Sequence, residues 1–334
     1  MILLLIIMTP GIPEYMTGSS NVGYLLFNTP MFFLGLAFNI GLYSCGALLI
    51  REFSIRFQKG WASILTLGLA YGIMEEGISV HTFFIPSGSP PGILAIYGRY
   101  LGVDWIWALG ISVFHAVFSI GLPILLLSTA YPKYSKEPLL GKKGTGTVLV
   151  LYILDVLVLN LATNSLRSNA IPTAGDYLFF IFLSALLVII AFRLPGKWLR
   201  GKGMPDEGTR KFYLLGALVF TLYCINAFLP AAPSGSPRIP PLLESILFVL
   251  GNILILVALN RYMPSLNNRR HKFALAVGLL IPLFAWAELA QLIGIGQIIT
   301  IVSIIGIIFL VKLRKLVRTG KYLTNLDDSS METN

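Results

Sequence analysis

The sequence predicts an all-α fold, a polytopic transmembrane bundle of about nine spans with its N-terminus outside and its C-terminus in the cytoplasm. Three observations predict it. The first is composition: 56% of the 334 residues are hydrophobic and 12% charged, with a mean hydropathy of +0.79, where an average soluble domain carries about 25% charged residues. The second is segment length. Apolar blocks recur at 31–50, 61–80, 105–128, 147–165, 176–193, 212–229, 242–260, 273–292 and 295–311, each near the roughly 20 residues of helix that cross a hydrocarbon core. In lipid each block must satisfy its own backbone hydrogen bonds, which a helix does. The third is the placement of cations. Of 25 Lys and Arg residues, all but Arg99, Arg167 and Arg238 fall on alternate connections, at 51–60, 131–145, 193–211, 261–272 and from Lys312 onward. Basic residues collect on the cytoplasmic side, so this alternation sets the orientation. It also accounts for the +10 net charge without a nucleic-acid partner. The expected partner is the lipid bilayer.

Along the chain, "MILLLIIM" is apolar, but eight residues of helix cover only about 12 Å. It lacks the basic leader of a signal peptide and reads as a clipped first helix or a short re-entrant piece. The polar "TPGIPEYMTGSS" after it is expected at the outer surface. Trp61, beside Lys59, suits the inner aromatic belt, and Trp105 and Trp107 the outer one. The outer connection 81–104 is rich in Pro and Gly, as is the cytoplasmic connection 193–211. Pro123 and Pro282 fall inside spans, as kinks or as helix interruptions. Pro-Ser-Gly-Ser-Pro occurs at 86–90 and again at 233–237. A parallel internal repeat would give this, as would shared turn composition. Cys45 and Cys224 lie within spans, with no disulfide framework. The tail 312–334 is basic, then polar, and is expected to be disordered.

Charged groups in the spans stand out, because an ionised side chain at mid-membrane costs about 2.5–3.5 kcal/mol on insertion scales. Glu75 and Glu76 sit in the outer half of the span 61–80. Glu76 shares a face with Gly68 and Gly72, the small-residue spacing of close helix contact, so it should face another helix. Glu75 shares its stripe with Tyr71 and Ser79. Neighbours on an α-helix point about 100° apart, so one cleft need not hold both acids. On the next span Ser112, His115 and Ser119 recur at steps of three and four and form one polar stripe. A carboxylate–imidazole contact between these two spans is therefore expected. Asp155, Glu244, Asn252, Glu288 and Gln291 are further polar groups inside spans, read as lining of the same site.

Three classes of function fit these groups. In a hydrolase, a glutamate acts as general base on water while a histidine holds the water or the developing oxyanion, with Glu75, Glu76 and His115 as the catalytic candidates. In a proton- or cation-coupled transporter of a small solute, buried carboxylates and amides face the bundle interior. In a non-catalytic scaffold, the acids serve packing. No cofactor is expected. Glu76, His81 and His115 are of metal-binding type, but no His-Glu-x-x-His is present and His81 lies beyond the helix end. Phosphate-binding glycine loops, the Gly-x-Ser-x-Gly elbow and paired intramembrane aspartates are also missing.

The pair Glu75-Glu76, with His115 on the next span, resembles the glutamate-dependent intramembrane proteases that include CAAX-processing and bacteriocin-processing enzymes. That family carries Glu-Glu-x-x-x-Arg, then Phe-x-x-x-His, then His-x-x-x-Asn. Here Val80 stands in the place of the Arg and Ile111 in that of the Phe. The third motif has no counterpart, His271 lying at a cytoplasmic helix start. This resemblance implies hydrolysis of a membrane-embedded or lipophilic substrate. "EYMTGSS", "GALLIRE", "YGIMEEG" and "VFHAVFSIGLPILL" are similar to signatures of a family of uncharacterised multi-pass proteins of archaea and bacteria, over roughly residues 10–140. That resemblance implies the fold and a prokaryotic plasma membrane, and carries no mechanism.

Overall fold

In the computed structural model, residues 1–17, 20, 29–85, 98–166, 171–199, 208–228, 239–262, 268–292 and 299–319 are described. They form ten helices: α1 (Ile2–Tyr15), α2 (29–56), α3 (61–79), α4 (Trp105–Ala130), α5 (Lys142–Leu166), α6 (Ala174–Arg193), α7 (Thr209–Phe228), α8 (Pro241–Tyr262), α9 (Arg269–Leu292) and α10 (Ile299–Thr319). Strand structure among the described residues is one antiparallel pair, Arg99–Tyr100 with Val103–Asp104. The protein is an all-α polytopic bundle, and six of its helices are long and apolar enough to cross a membrane. Each of the nine apolar blocks overlaps one helix from α2 to α10. Both Pro-Ser-Gly-Ser-Pro copies, Arg167, Arg238 and residues 320–334 lie outside the described residues. The expected disordered tail starts later than 312, since α10 continues to Thr319.

Burial separates a centre from a rim. The most apolar window of α4 is 72% buried, whereas those of α5, α6 and α8 are 11%, 17% and 11% buried. Leu151, Leu154, Leu157 and Val158 of α5 are exposed, as suits side chains that face lipid. α4 therefore runs through the middle, packed by α1, α2, α3, α8 and α9.

The cation-bearing connections meet at one end. Glu52, fully buried, accepts from Arg51 Nη1 at 2.6 Å and from the Leu139 amide at 2.8 Å. Arg56 donates to Leu140 O. Lys59 reaches Leu194 O, and Arg269 Nε donates to Thr129 O at 2.9 Å. These bonds tie the segments 51–60, 131–145, 193–211 and 261–272 to a common surface. They satisfy carbonyls left open at helix ends, which cations complement.

α1 is the helix that the nine-span count omits. Its first residues, Met1–Leu3, line a hollow with Glu137, Pro138 and Leu139, so the first residue lies at the basic end of the bundle and not, as expected, at the end opposite it, because α1 adds one helix ahead of the nine. From there α1 runs inward against α2 and α4. The polar stretch after "MILLLIIM", expected at the outer surface, instead carries Glu14 into the interior, because Ile2–Tyr15 is one unbroken helix. Thr9 Oγ1 bonds Ser44 Oγ at 3.2 Å, and Ser44 Oγ donates to Ile6 O at 3.1 Å. These bonds pin α1 to α2.

At the opposite end α3 stops at Ser79. His81 follows with φ +59°, a left-handed conformation that costs a non-glycine residue energy. Its fully buried ring is fixed there: Nε2 lies 2.8 Å from Asn160 Nδ2 and 3.1 Å from the Tyr177 hydroxyl. Asn160 Nδ2 also reaches Ile78 O at 2.6 Å. Asn160→Leu is expected to cost about 1–3 kcal/mol by leaving buried partners unpaired, read as a lower thermal midpoint in detergent. Asp104 caps α4 by accepting from Trp107 N at 3.0 Å. Burial pushes its carboxyl up to about 6, so at neutral pH it is ionised and accepts that bond.

Candidate functional site

Four helices each lose their α register once, and the four interruptions bear on one place. Among the described residues, π-helical stretches occur at Gly11–Tyr15 in α1, Asn39–Ser44 in α2, Met74–Ser79 in α3 and His115–Gly121 in α4. Such wide turns are rare, and they frequently mark functional sites. Local chemistry supports each. Pro13 and Pro123 lack an amide hydrogen and clash with the carbonyl four residues back, within or just after the first and last stretches. Asn39 Nδ2 donates to Gly35 O at 2.7 Å, and Ser79 Oγ to Met74 O at 3.1 Å. These side chains take up carbonyls that the widened turns release. Val80 N closes the third stretch on Glu75 O at 2.9 Å, a bond between residues five apart.

The stretches supply Glu14, Tyr43, Glu75, Glu76, His115 and Ser119. His115 Nε2 lies 2.8 Å from Glu76 Oε1, and Nδ1 lies 2.8 Å from Ser119 Oγ and 3.1 Å from Glu75 Oε2. One imidazole thus stands between two carboxylates. The expected carboxylate–imidazole contact is present, and it includes both acids, where α-helical spacing would have separated them. The physical reason is the wide turn. A ring closed over five residues sets successive side chains less than 100° apart, and both reach one ring. The Tyr43 hydroxyl donates to Glu14 Oε1, and Ser20 Oγ to Glu14 Oε2 at 2.6 Å. The rings of Tyr43 and Tyr71 each lie 6.0 Å from that of His115. On the outer side Thr82 donates to Glu76 Oε2, and Trp107 Nε1 donates to Thr82 Oγ1 at 3.0 Å. Both Glu76 oxygens are therefore held, one by imidazole and one by hydroxyl.

Close packing brings these groups together. A Cβ on Gly68 would lie 2.7 Å from Ala116 Cα, and one on Gly72 would lie 3.0 Å from Ser112 Cα and 3.1 Å from His115 Cβ. Only glycine lets α3 approach α4 this far. The site is deep. His115 is ten residues from the outer end of α4, about 15 Å at 1.5 Å per residue. Its relative exposure is 2%, against 3% for Glu75 and 7% for Glu76. All three are buried, Glu76 the least.

The remaining expected members divide. Ser112 packs at the Gly72 crossing, and its hydroxyl has no hydrogen-bond partner. Asp155 packs on Gly41 within the second wide turn, one helix away from the imidazole. Glu244, Asn252 and Glu288 do not join the cluster. Glu244 is buried in the first turn of α8. Asn252 bonds Phe248 O of its own helix at 2.8 Å. Glu288 accepts from Thr300 Oγ1 of α10 at 2.9 Å. Each was grouped by its position along a helix, and each helix turns that position toward its own neighbours. The side chain of Gln291 lies outside the described residues. His81, weighed as a metal ligand, is held instead by Asn160 and Tyr177. Sequence reasoning missed Glu14, Tyr43 and Thr82, placed Tyr71 on the Glu75 stripe without a role, and read Trp107 as belt alone. The one available signal was Glu14, an isolated acid between apolar residues.

Glu75, Glu76 and His115 each offer a ligand atom within 4.8 Å of the others, so these three could hold a metal ion. Without one, the cluster can store and pass a proton between carboxylate and imidazole. No curated protein and no solved structure matches the chain. A family model does match, over residues 3–319, and its span takes in every residue of the cluster: the chain belongs to an uncharacterized membrane protein family.

Proposed function

We propose that this multi-pass membrane protein is an intramembrane hydrolase of a prokaryotic plasma membrane, acting on a membrane-embedded or lipophilic substrate. The observation that carries the reading is the 2.8 Å contact between His115 Nε2 and Glu76 Oε1 inside an apolar bundle. Glu76, the least buried of the three, takes a proton from water. The water oxygen attacks the substrate carbonyl, and the proton is returned to the leaving group. Imidazolium at His115, balanced by Glu75, stabilises the developing oxyanion. Ser119 and Thr82 orient the pair from either side. Transport would draw on a continuous run of polar groups, and among the described residues Asn252 and Glu288 bond elsewhere than in the cluster, which favours the hydrolase reading.

The test compares membranes from cells that carry the wild-type chain, Glu76→Gln or neither. New protein termini are mapped by mass spectrometry and lipid products by chromatography. Products present only with the wild type are the expected result. Identical profiles for wild type and Glu76→Gln would overturn the reading.

A further inference from the structure

We propose that Glu75, Glu76 and His115 form a binding site for one divalent transition-metal ion of the zinc type. The proposal uses the side chains of the hydrolase reading but does not need it, since a structural or transport site would bind the ion equally well. Four observations carry it.

The donor set is two carboxylates and an imidazole, all within 4.8 Å of one another. Zinc ligands stand about 2.0–2.2 Å from the ion, so they lie a little over 3 Å apart. Glu76 already stands 2.8 Å from Nε2, whereas Glu75 now faces Nδ1 at 3.1 Å and would swing to the Nε2 edge, a move within the 4.8 Å that encloses the donor atoms.

One donor oxygen lacks a hydrogen bond. Glu75 Oε2 is buried and accepts no hydrogen bond; it faces His115 Nδ1 at 3.1 Å, a nitrogen that Ser119 engages at 2.8 Å. A buried carboxylate oxygen without a hydrogen bond is costly, and a cation would satisfy it.

Charge points the same way. Two carboxylates sunk in hydrocarbon are neutralised by one divalent ion, whereas one imidazolium balances only one of them. Buried charges in proteins are paired or coordinate metals.

The surrounding shell is of the kind that orients metal ligands. A single ion takes one ring nitrogen. Ser119 Oγ, 2.8 Å from Nδ1, can accept the Nδ1 hydrogen and leave Nε2, the nitrogen that faces Glu76, as the ligand. Metal-bound histidines usually donate their other N–H in this manner. Thr82, itself fixed by Trp107, holds the second oxygen of Glu76. An imidazole in the set favours zinc, iron, nickel or copper over calcium, magnesium and manganese, which suit oxygen ligands.

The experiment uses the full chain without a polyhistidine tag, purified in detergent, stripped with chelator and dialysed against zinc. Bound metal is counted by plasma mass spectrometry. Cobalt then replaces zinc, and its visible d–d bands report nitrogen and oxygen ligation. One zinc per chain is expected for the wild type, loss of that zinc in Glu75→Gln, and about tenfold weaker binding in Ser119→Ala, the scale of a lost outer-shell partner. Circular dichroism and gel filtration establish that the variants are folded. If Glu75→Gln is unfolded, the cobalt spectrum of the wild type and the Ser119→Ala shift decide. Absence of bound zinc in the wild type, or equal zinc binding in folded Glu75→Gln, overturns the proposal, as does a calcium affinity equal to that for zinc. The two readings fail separately. A zinc-free chain whose products still depend on Glu76 sinks the metal and leaves the hydrolase, and a zinc-loaded chain without products does the reverse.

Discussion

Glu76→Gln is expected to slow product formation in reconstituted vesicles by about 10²- to 10⁴-fold, the range that a positioned acid–base group contributes. The amide is isosteric and keeps partners in His115 and Thr82, so the bundle should survive. What it loses is the capacity to accept a proton. His115→Gln should give a loss of the same order. The two side chains touch at 2.8 Å and act as one unit, so the double variant should be scarcely slower than the worse single variant. Initial rates for the four proteins, at equal amounts in equal vesicles, check this. Losses that multiply would mean that the two residues work independently, and the pair would then not be the catalytic unit.

Gly68→Val should disable the site although it touches no candidate group. Its Cβ would meet Ala116 Cα at 2.7 Å and Ala116 O at 3.2 Å. These are backbone atoms that cannot turn aside. Overpacking of this kind costs about 1–3 kcal/mol and occasionally more. The strain is relieved by parting α3 from α4, which carries Glu76 away from His115. Thermal unfolding in detergent should show a lower midpoint, and activity should fall with it. Gly110→Ala on α4 is the control, because nothing lies within 4 Å of its added carbon. If Gly68→Val matches that control in both measurements, the crossing does not set the site.

The parts legible in the sequence were those governed by local rules. Helix length and apolar composition follow from the bilayer, and the gathering of Arg51, Arg56, Lys59 and Arg269 at one end of the bundle follows from the alternation of basic connections. The stripe Ser112–His115–Ser119 and the Gly68–Gly72–Glu76 face came from helical periodicity, and they led to the contact between α3 and α4. Other parts depend on register and distance. No composition announces a wide turn, so strict α geometry separated Glu75 from Glu76. Glu14 falls in a stretch that reads as polar and external when "MILLLIIM" is measured alone, although the helix continues through Pro10 and Pro13 to Tyr15. Tyr43 and Tyr71 lie on apolar helices, where an aromatic residue reads as packing. Glu244, Asn252 and Glu288 were grouped by depth, which says nothing of azimuth.

The four wide turns have one more consequence. Each is one residue of slack in a helix that is otherwise a rigid gear, so the residues beyond it are out of phase with those before it. In α1 and α3 the stretch is the last turn of the helix, and in α2 and α4 it falls midway, where the two parts of the helix pack out of phase. Deleting Met74, the residue that opens the stretch in α3 ahead of Glu75 and Glu76, would restore the ordinary pitch. The helix would stay intact and still cross the membrane, yet everything past the deletion would be rotated by about 100° and drawn back by about 1.5 Å. A chain cut in this way should insert and reach normal abundance in immunoblots while its carboxylates face the wrong neighbour.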